Sequence, residues 1–276
     1  MSGRHLPNPI DEVEFNRLVR RVAWKDLAPM KTRDGLRECL HPLPWLFAAL
    51  ALFGYELWPF AILAEFMFFL TALRLNHEAI HHNLGFGAAG HRMVLHGLSF
   101  VMLGSNHSVA FNHLRHHKFI NTPQDLEGKA GKMSLLRVLA YGPVFPFECH
   151  WAALRDGGPS WRRKVAIDLG LNLILPSLAV AAGSAFLAWH FVAMLVAQCL
   201  TALFAVWITH RGCDHDALVA RSQRNPVVNA VSYNMFFHLE HHLFPGVPVK
   251  RLPALARRLD AAVPHLKAAL KPVIGS

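Results

Sequence analysis

"LGLNLILPSLAVAAGSAFLAWHFVAMLVAQCLTALFAVWITH", Leu169–His210, contains no Lys or Arg, and the basic-free gap around it runs from Lys164 to Arg211. A bilayer span takes about 20 apolar residues, so this stretch supplies two, with Gly183-Ser184 as the break between them. A second gap, from Arg37 to Arg74, holds "LFAALALFGYELWPFAILAEFMFFLTAL", Leu46–Leu73, interrupted by Gly54 and Pro59. It barely suffices for two spans, so its helices are expected to be short or to reach past the apolar boundary. A soluble core long enough to absorb both gaps is the competing explanation. The sharp placement of charge argues against it.

The reading that follows is an all-α integral membrane protein: four transmembrane helices in two hairpins, at about residues 40–76 and 165–210. The remainder, residues 1–39, 77–164 and 211–276, forms a helical cap in one compartment, and the whole is a single domain. All 28 Lys and Arg residues then face that compartment or its interface, which the positive-inside rule makes the cytoplasm. The net charge of +10 reports topology and attraction to anionic headgroups. No basic-aromatic groove pattern indicates nucleic acid.

The N-terminus has no apolar signal-peptide core. Its Phe15, Leu18, Val19 and Val22 fall at helical spacing after a candidate Asn8 cap with Pro9 behind it. They predict an amphipathic helix, docked on the protein or lying among headgroups. Leu252, Leu255 and Leu259, opposite Arg257 and Arg258, predict a second, basic interfacial helix. "MVLHGLSFVMLG", Met93–Gly104, is too short to span and reads as interfacial or re-entrant. The cysteines, Cys39, Cys149, Cys199 and Cys213, show no paired spacing and read as reduced thiols.

The histidines carry the chemistry. "HEAIHH" holds His77, His81 and His82; "HLRHH" holds His113, His116 and His117; "HLEHH" holds His238, His241 and His242. Scattering 19 histidines at random yields an H-x-x-H-H pattern only roughly 0.09 times; it occurs twice here, beside a longer variant. On a helix these positions share a face, and imidazoles packed so closely repel when protonated and compete for donors when neutral. A bound cation removes both difficulties. Imidazole accepts Fe, Zn, Cu or Ni, so ligand type alone does not name the metal. The first box also matches H-E-x-x-H, in which Glu78 would be the base of a zinc membrane protease, but that reading leaves six boxed histidines without a purpose. A non-catalytic metal or haem carrier is a further alternative, although carriers place histidines in pairs.

At "HLRHHKFINTPQDLEG" and "NMFFHLEHHLFPGVP", with box one upstream, the chain resembles the membrane fatty acid desaturase family, which includes lipid hydroxylases and carotenoid ketolases. The resemblance spans about residues 75 to 255. It implies four membrane helices and an all-histidine di-iron centre that uses O2 on a hydrophobic substrate. Carried over, the ligands are the nine boxed histidines, with His210 where the family has a further histidine upstream of box three. Val206 stands where the stearoyl-CoA branch has a polar residue near the metal.

Asn234, four residues before His238, is expected on the same helical face. Glu78, Asp125 and Glu240 are candidate acceptors for imidazole N–H groups. His5, His41, His91, His96, His107, His150, His190, His215 and His265 are read as structural. Box three begins with His238 and not the glutamine of front-end desaturases, and no cytochrome-b5-like segment is evident. Electrons are expected from a separate ferredoxin or cytochrome b5 type donor, attracted by Lys129, Lys132, Arg257 and Arg258. Desaturation of an acyl chain of a lipid or fatty acid in a bacterial inner membrane is the expected activity. Hydroxylation or ketolation of a lipid or carotenoid is the runner-up.

Overall fold

The computed structural model describes residues 11–213 and 217–274. Among these the chain is helical without strands, and it divides into two compact units: residues 30–207, and residues 1–29 with 208–276.

In the smaller unit, α1 (Glu12–Val19) is capped by Asp11, whose carboxylate accepts from the Glu14 N–H at 2.9 Å. The candidate Asn8-Pro9 cap lies outside the described residues. Phe15, Val19 and Val22 sink into a core with Leu218, Leu239, Leu252, Leu255, Leu259 and Leu266. The C-terminal leucine stripe is therefore covered by protein and not laid against headgroups. The apolar face of α1 packs in the same core, and the Arg258–Asp26 ion pair at 2.6 Å fastens the edge.

In the larger unit come α2 (Thr32–Leu40), α3 (Leu43–Gly54), α4 (Trp58–Ile80), α5 (Ala88–Met102), α6 (Asn106–Phe119) and the single turn α7 (Gly128–Gly131). Then follow α8 (Leu135–Tyr141), α9 (Phe145–Asp156), α10 (Pro159–Leu171), α11 (Ile174–Ala181) and α12 (Ala185–Cys199), and a π-helical turn at Ala202–Trp207. The smaller unit resumes with α13 (Ile208–His210), α14 (Pro226–Val231), α15 (His238–Leu243), α16 (Leu252–Ala262) and α17 (Leu266–Ala269).

The breaks fall where the sequence placed them. α3 stops at Gly54, Pro59 opens the first turn of α4, Gly183 has φ +58 and Ser184 caps α12. Among the described residues two helices qualify as spans by length and composition, or three with a bent pair. Trp58–Ile80 and Pro159–Ala181 are long and apolar enough to cross a membrane, and a third span exists only if α12 is taken with the helical stretch after it, across a 41° bend. At twelve residues α3 extends about 18 Å, well short of a hydrocarbon core of about 30 Å.

Around these helices large apolar side chains face outward, among them Phe60, Ile62, Leu63 and Val180. Small ones, Ala49, Ala61, Ala64 and Ala72, are buried where helices pack. That is the pattern of a bundle whose solvent is lipid. Within it, His190 on α12 approaches Glu65 on α4 through Nδ1 at 2.8 Å, and its Nε2 donates to the Val101 carbonyl at 3.0 Å. This polar tie joins three helices.

Candidate metal centre

Box one sits at the end of α4. His77 is in the last turn, His81 is the C-cap, and His82 has φ +59. That left-handed residue turns His82 away from the other two to stack on His91, centroids 4.5 Å apart. His91 accepts from the Leu84 N–H through Nε2, a structural role as expected.

Box two lies wholly within α6. Nε2 of His113 stands 3.1 Å from Nε2 of His81 and 3.2 Å from Nε2 of His117. The rings of His77 and His81 are 4.9 Å apart, those of His77 and His113 5.1 Å. Four imidazoles, His77, His81, His113 and His117, thus face one another from two helices. His116 turns to Asp125, donating from Nδ1 at 2.9 Å, and His113 Nδ1 donates to Glu127 at 3.0 Å. A carboxylate on Nδ1 fixes the tautomer that leaves the Nε2 lone pair for a metal.

Asp125 was expected; Glu127 was not. The signal was present in "PQDLEG", two acids at alternate positions just after box two, but which of them reaches back to which histidine depends on the turn. Asp125 is held by the N–H groups of Gly128 at 2.8 Å and Asn121 at 3.1 Å. A Cβ on Gly128 would stand 2.2 Å from its Oδ2, so the turn requires glycine there.

Burial, reinforced by the imidazoles of His77 and His113, holds His81 well below the ordinary histidine value, so it is neutral and able to ligate. Burial also pulls His116 down, but the Asp125 hydrogen bond and the charges of Glu127 and Asp125 outweigh it and leave its pKa raised. On Asp125 burial acts upward; the hydrogen bond and charge of His116 with the two backbone N–H groups leave it lowered. Glu78 is fully buried, and its carboxylate is 4.0 Å from Nδ1 of His77, too far for a hydrogen bond.

The smaller unit carries box three and His210. Nε2 of His238 is 2.9 Å from Nε2 of His210 and 3.2 Å from Nε2 of His242, while His210 Nδ1 donates to the Val219 carbonyl at 3.0 Å. His241 is buried on the same short helix. His210 therefore joins a ligand-like set.

Two expectations fail here. Asn234 is not on the helix of His238: α15 begins at His238, and Tyr233 and Asn234 have φ +52 and +64 in the preceding turn. Among the described residues Glu240 orients no histidine. It accepts from Ser222 Oγ at 2.5 Å and Arg224 Nη2 at 2.6 Å, and Arg224 also pairs with Asp260 at 2.8 Å. Val206 is buried in the π-helical turn of the larger unit. Of the histidines read as structural, His5 and His215 lie outside the described residues.

Beside box two opens a cavity of about 650 Å³ lined by Arg115, Lys129, Lys132, Arg137 and Arg155, with Asp125 in its wall. Lys129 is tied to Glu148 at 2.9 Å and Arg155 to Asp156 at 2.7 Å, and Arg115 lies over the rings of Phe111 and Phe119.

The donor set suits a metal. Imidazoles of His81, His113 and His117 converge through Nε2 at hydrogen-bond distances, and at His113 and His116 a carboxylate backs the opposite nitrogen. An H-E-x-x-H zinc site uses two histidines and leaves a position open; here His113 and His117 join His77 and His81. The fatty acid desaturase family model matches residues 54–273, most of the chain and all of its boxed histidines. The chain belongs to the fatty acid desaturase family. Membership makes it an oxidoreductase by class, and the apolar helices of this family member fit a membrane protein. No curated protein matches this desaturase-family chain.

Proposed function

We propose that the chain is an O2-dependent membrane desaturase with two iron ions, which introduces a double bond into an acyl chain of a lipid or fatty acid. The supporting observation is that imidazoles crowd together in both units, His77, His81, His113 and His117 in one and His210, His238 and His242 in the other. Of the remaining boxed residues, His116 and His241 join the ligand complement by resemblance, while His82, stacked on His91, stands apart from it. Bound iron would supply the O2-activating chemistry needed to remove hydrogen from an unactivated carbon, which imidazole and carboxylate lack.

The chain's own groups prepare for this. Asp125 and Glu127 hold protons on Nδ1 of His116 and His113. The cationic cavity beside box two offers an anionic headgroup a place near Asp125, with Lys132 and Arg137 in its wall to meet it. Forming one double bond releases two electrons and reducing O2 to water takes four, so two arrive from a ferredoxin or cytochrome b5 type protein. Lys132 and Arg257 are the basic residues best placed to attract it, because Lys129 and Arg258 are engaged by Glu148 and Asp26. Both termini and the histidines are assigned to the cytoplasmic side of a bacterial inner membrane by the charge pattern.

The test supplies a deuterated saturated acyl lipid, 18O2 and a reduced donor, and follows the product. Unlabelled alkene supports desaturation. A labelled alcohol or ketone supports hydroxylation or ketolation instead, and turnover under strict anaerobiosis overturns both.

A further inference from the structure

The helix that carries box two is fastened at its start as well as at its end. Asn106 N–H donates to Ser99 Oγ at 2.9 Å, His107 N–H to Asp168 Oδ2 at 3.1 Å, and Ser108 N–H to Ser105 Oγ at 3.1 Å. Ser105 N–H donates to His150 Nε2 at 2.9 Å. The orphan donors of the first turn of α6 are thus met by side chains from α5 and α10 and by the cap Ser105, whose own N–H is held by His150 of α9.

Asp168, on α10 and fully buried, is the hub. Besides the His107 amide it accepts from Ser105 Oγ at 2.7 Å, His107 Nδ1 at 3.0 Å and His96 Nδ1 at 2.6 Å. One turn further on, the Asn172 amide, suitably turned, donates to the Ser99 carbonyl at 2.6 Å and accepts from the Gly104 N–H at 3.3 Å. A carboxylate in an apolar helix at the positive end of another helix is held there by fixed dipoles and donors. His96, His107 and Asp168 also have the spacing of a two-histidine, one-carboxylate metal site. Against that, Asp168 already receives four donors, and a metal on the Nδ1 atoms would leave a buried N–H on His107 Nε2, which has no partner among the described residues.

We infer that Asp168 is a positioning residue, setting through the N-terminus of α6 where His113 and His116 present their nitrogens. From His107 to His116 is nine residues, about 14 Å along the helix, and a rigid helix transmits a displacement over that length. The inference rests on the reading of box two as metal ligands.

The test compares wild type, Asp168→Asn, His96→Leu and the exposed control Glu56→Gln in detergent. Hydrogen exchange of the metal-free proteins reads the anchor. Cobalt(II) titration with absorption spectra reads the histidines. In Asp168→Asn, amides of Asn106–His113 should exchange at least about tenfold faster, cobalt affinity should fall about tenfold and the cobalt bands should shift. His96→Leu, which spares α6 itself and covers the case in which Asp168→Asn fails to fold, should do the same to a smaller extent. The control should match wild type. Unchanged exchange and spectra in both variants would overturn the inference, as would an extra cobalt in wild type that Asp168→Asn alone loses. A wild type that binds no cobalt would instead sink the metal reading, while the exchange comparison still decides the anchor.

Discussion

Replacing Glu127 by Gln keeps the shape of the side chain but removes the charge that the His113 Nδ1–H meets at 3.0 Å. Metal affinity should fall about 10- to 100-fold, as should that of Asp125→Asn, measured by competition with a chelator. Gly128→Ala should act in the same direction without touching a histidine, because its Cβ collides with Asp125. His82→Ala should retain metal that His81→Ala loses, since His82 stacks on His91 away from the set; equal loss in both would contradict this placement. The histidines were legible because i, i+3, i+4 spacing is local. Glu127 was not, because its partner lies across a turn that spacing does not describe. Asn234 was misplaced because the helix of box three was extended upstream through two residues with positive φ, and Asn tolerates that conformation.

At the scale of elements, the uncharged gaps located the apolar helices and their breaks, since Gly, Pro and capping Ser act on their own neighbours. Hydropathy did not decide whether α3 crosses the membrane, because a short apolar helix satisfies the same pattern while packing on α4. Reporter fusions at residue 57, residue 184 and the C-terminus test the topology. The first two are expected outside and the last in the cytoplasm; an external C-terminus would put box three on the wrong side of the membrane from box one. The stripe of α16 was legible, but its partner was not: amphipathicity specifies an apolar face and leaves open whether lipid or protein covers it. With Leu255 buried in the smaller unit, Leu255→Ala should cost about 2–5 kcal/mol in a denaturation midpoint series. Exposed Arg257→Ala should stay within about 0.5 kcal/mol. Equal, small effects would return α16 to the membrane surface.

For the molecule as a whole, two units each contribute a histidine set, and the family match runs across both. Resemblance supplied the metal and the oxidant, which imidazole alone does not specify. The central claim is that these histidines serve two irons. Iron per chain in protein purified from iron-replete cells, with other metals quantified beside it and with His81→Ala, His116→Ala and His241→Ala as comparisons, tests it most directly. The account predicts about two irons in wild type and a loss of iron and activity in each variant that still inserts. A single tightly held zinc with peptide cleavage, or full activity when all three histidines are replaced together, would contradict it.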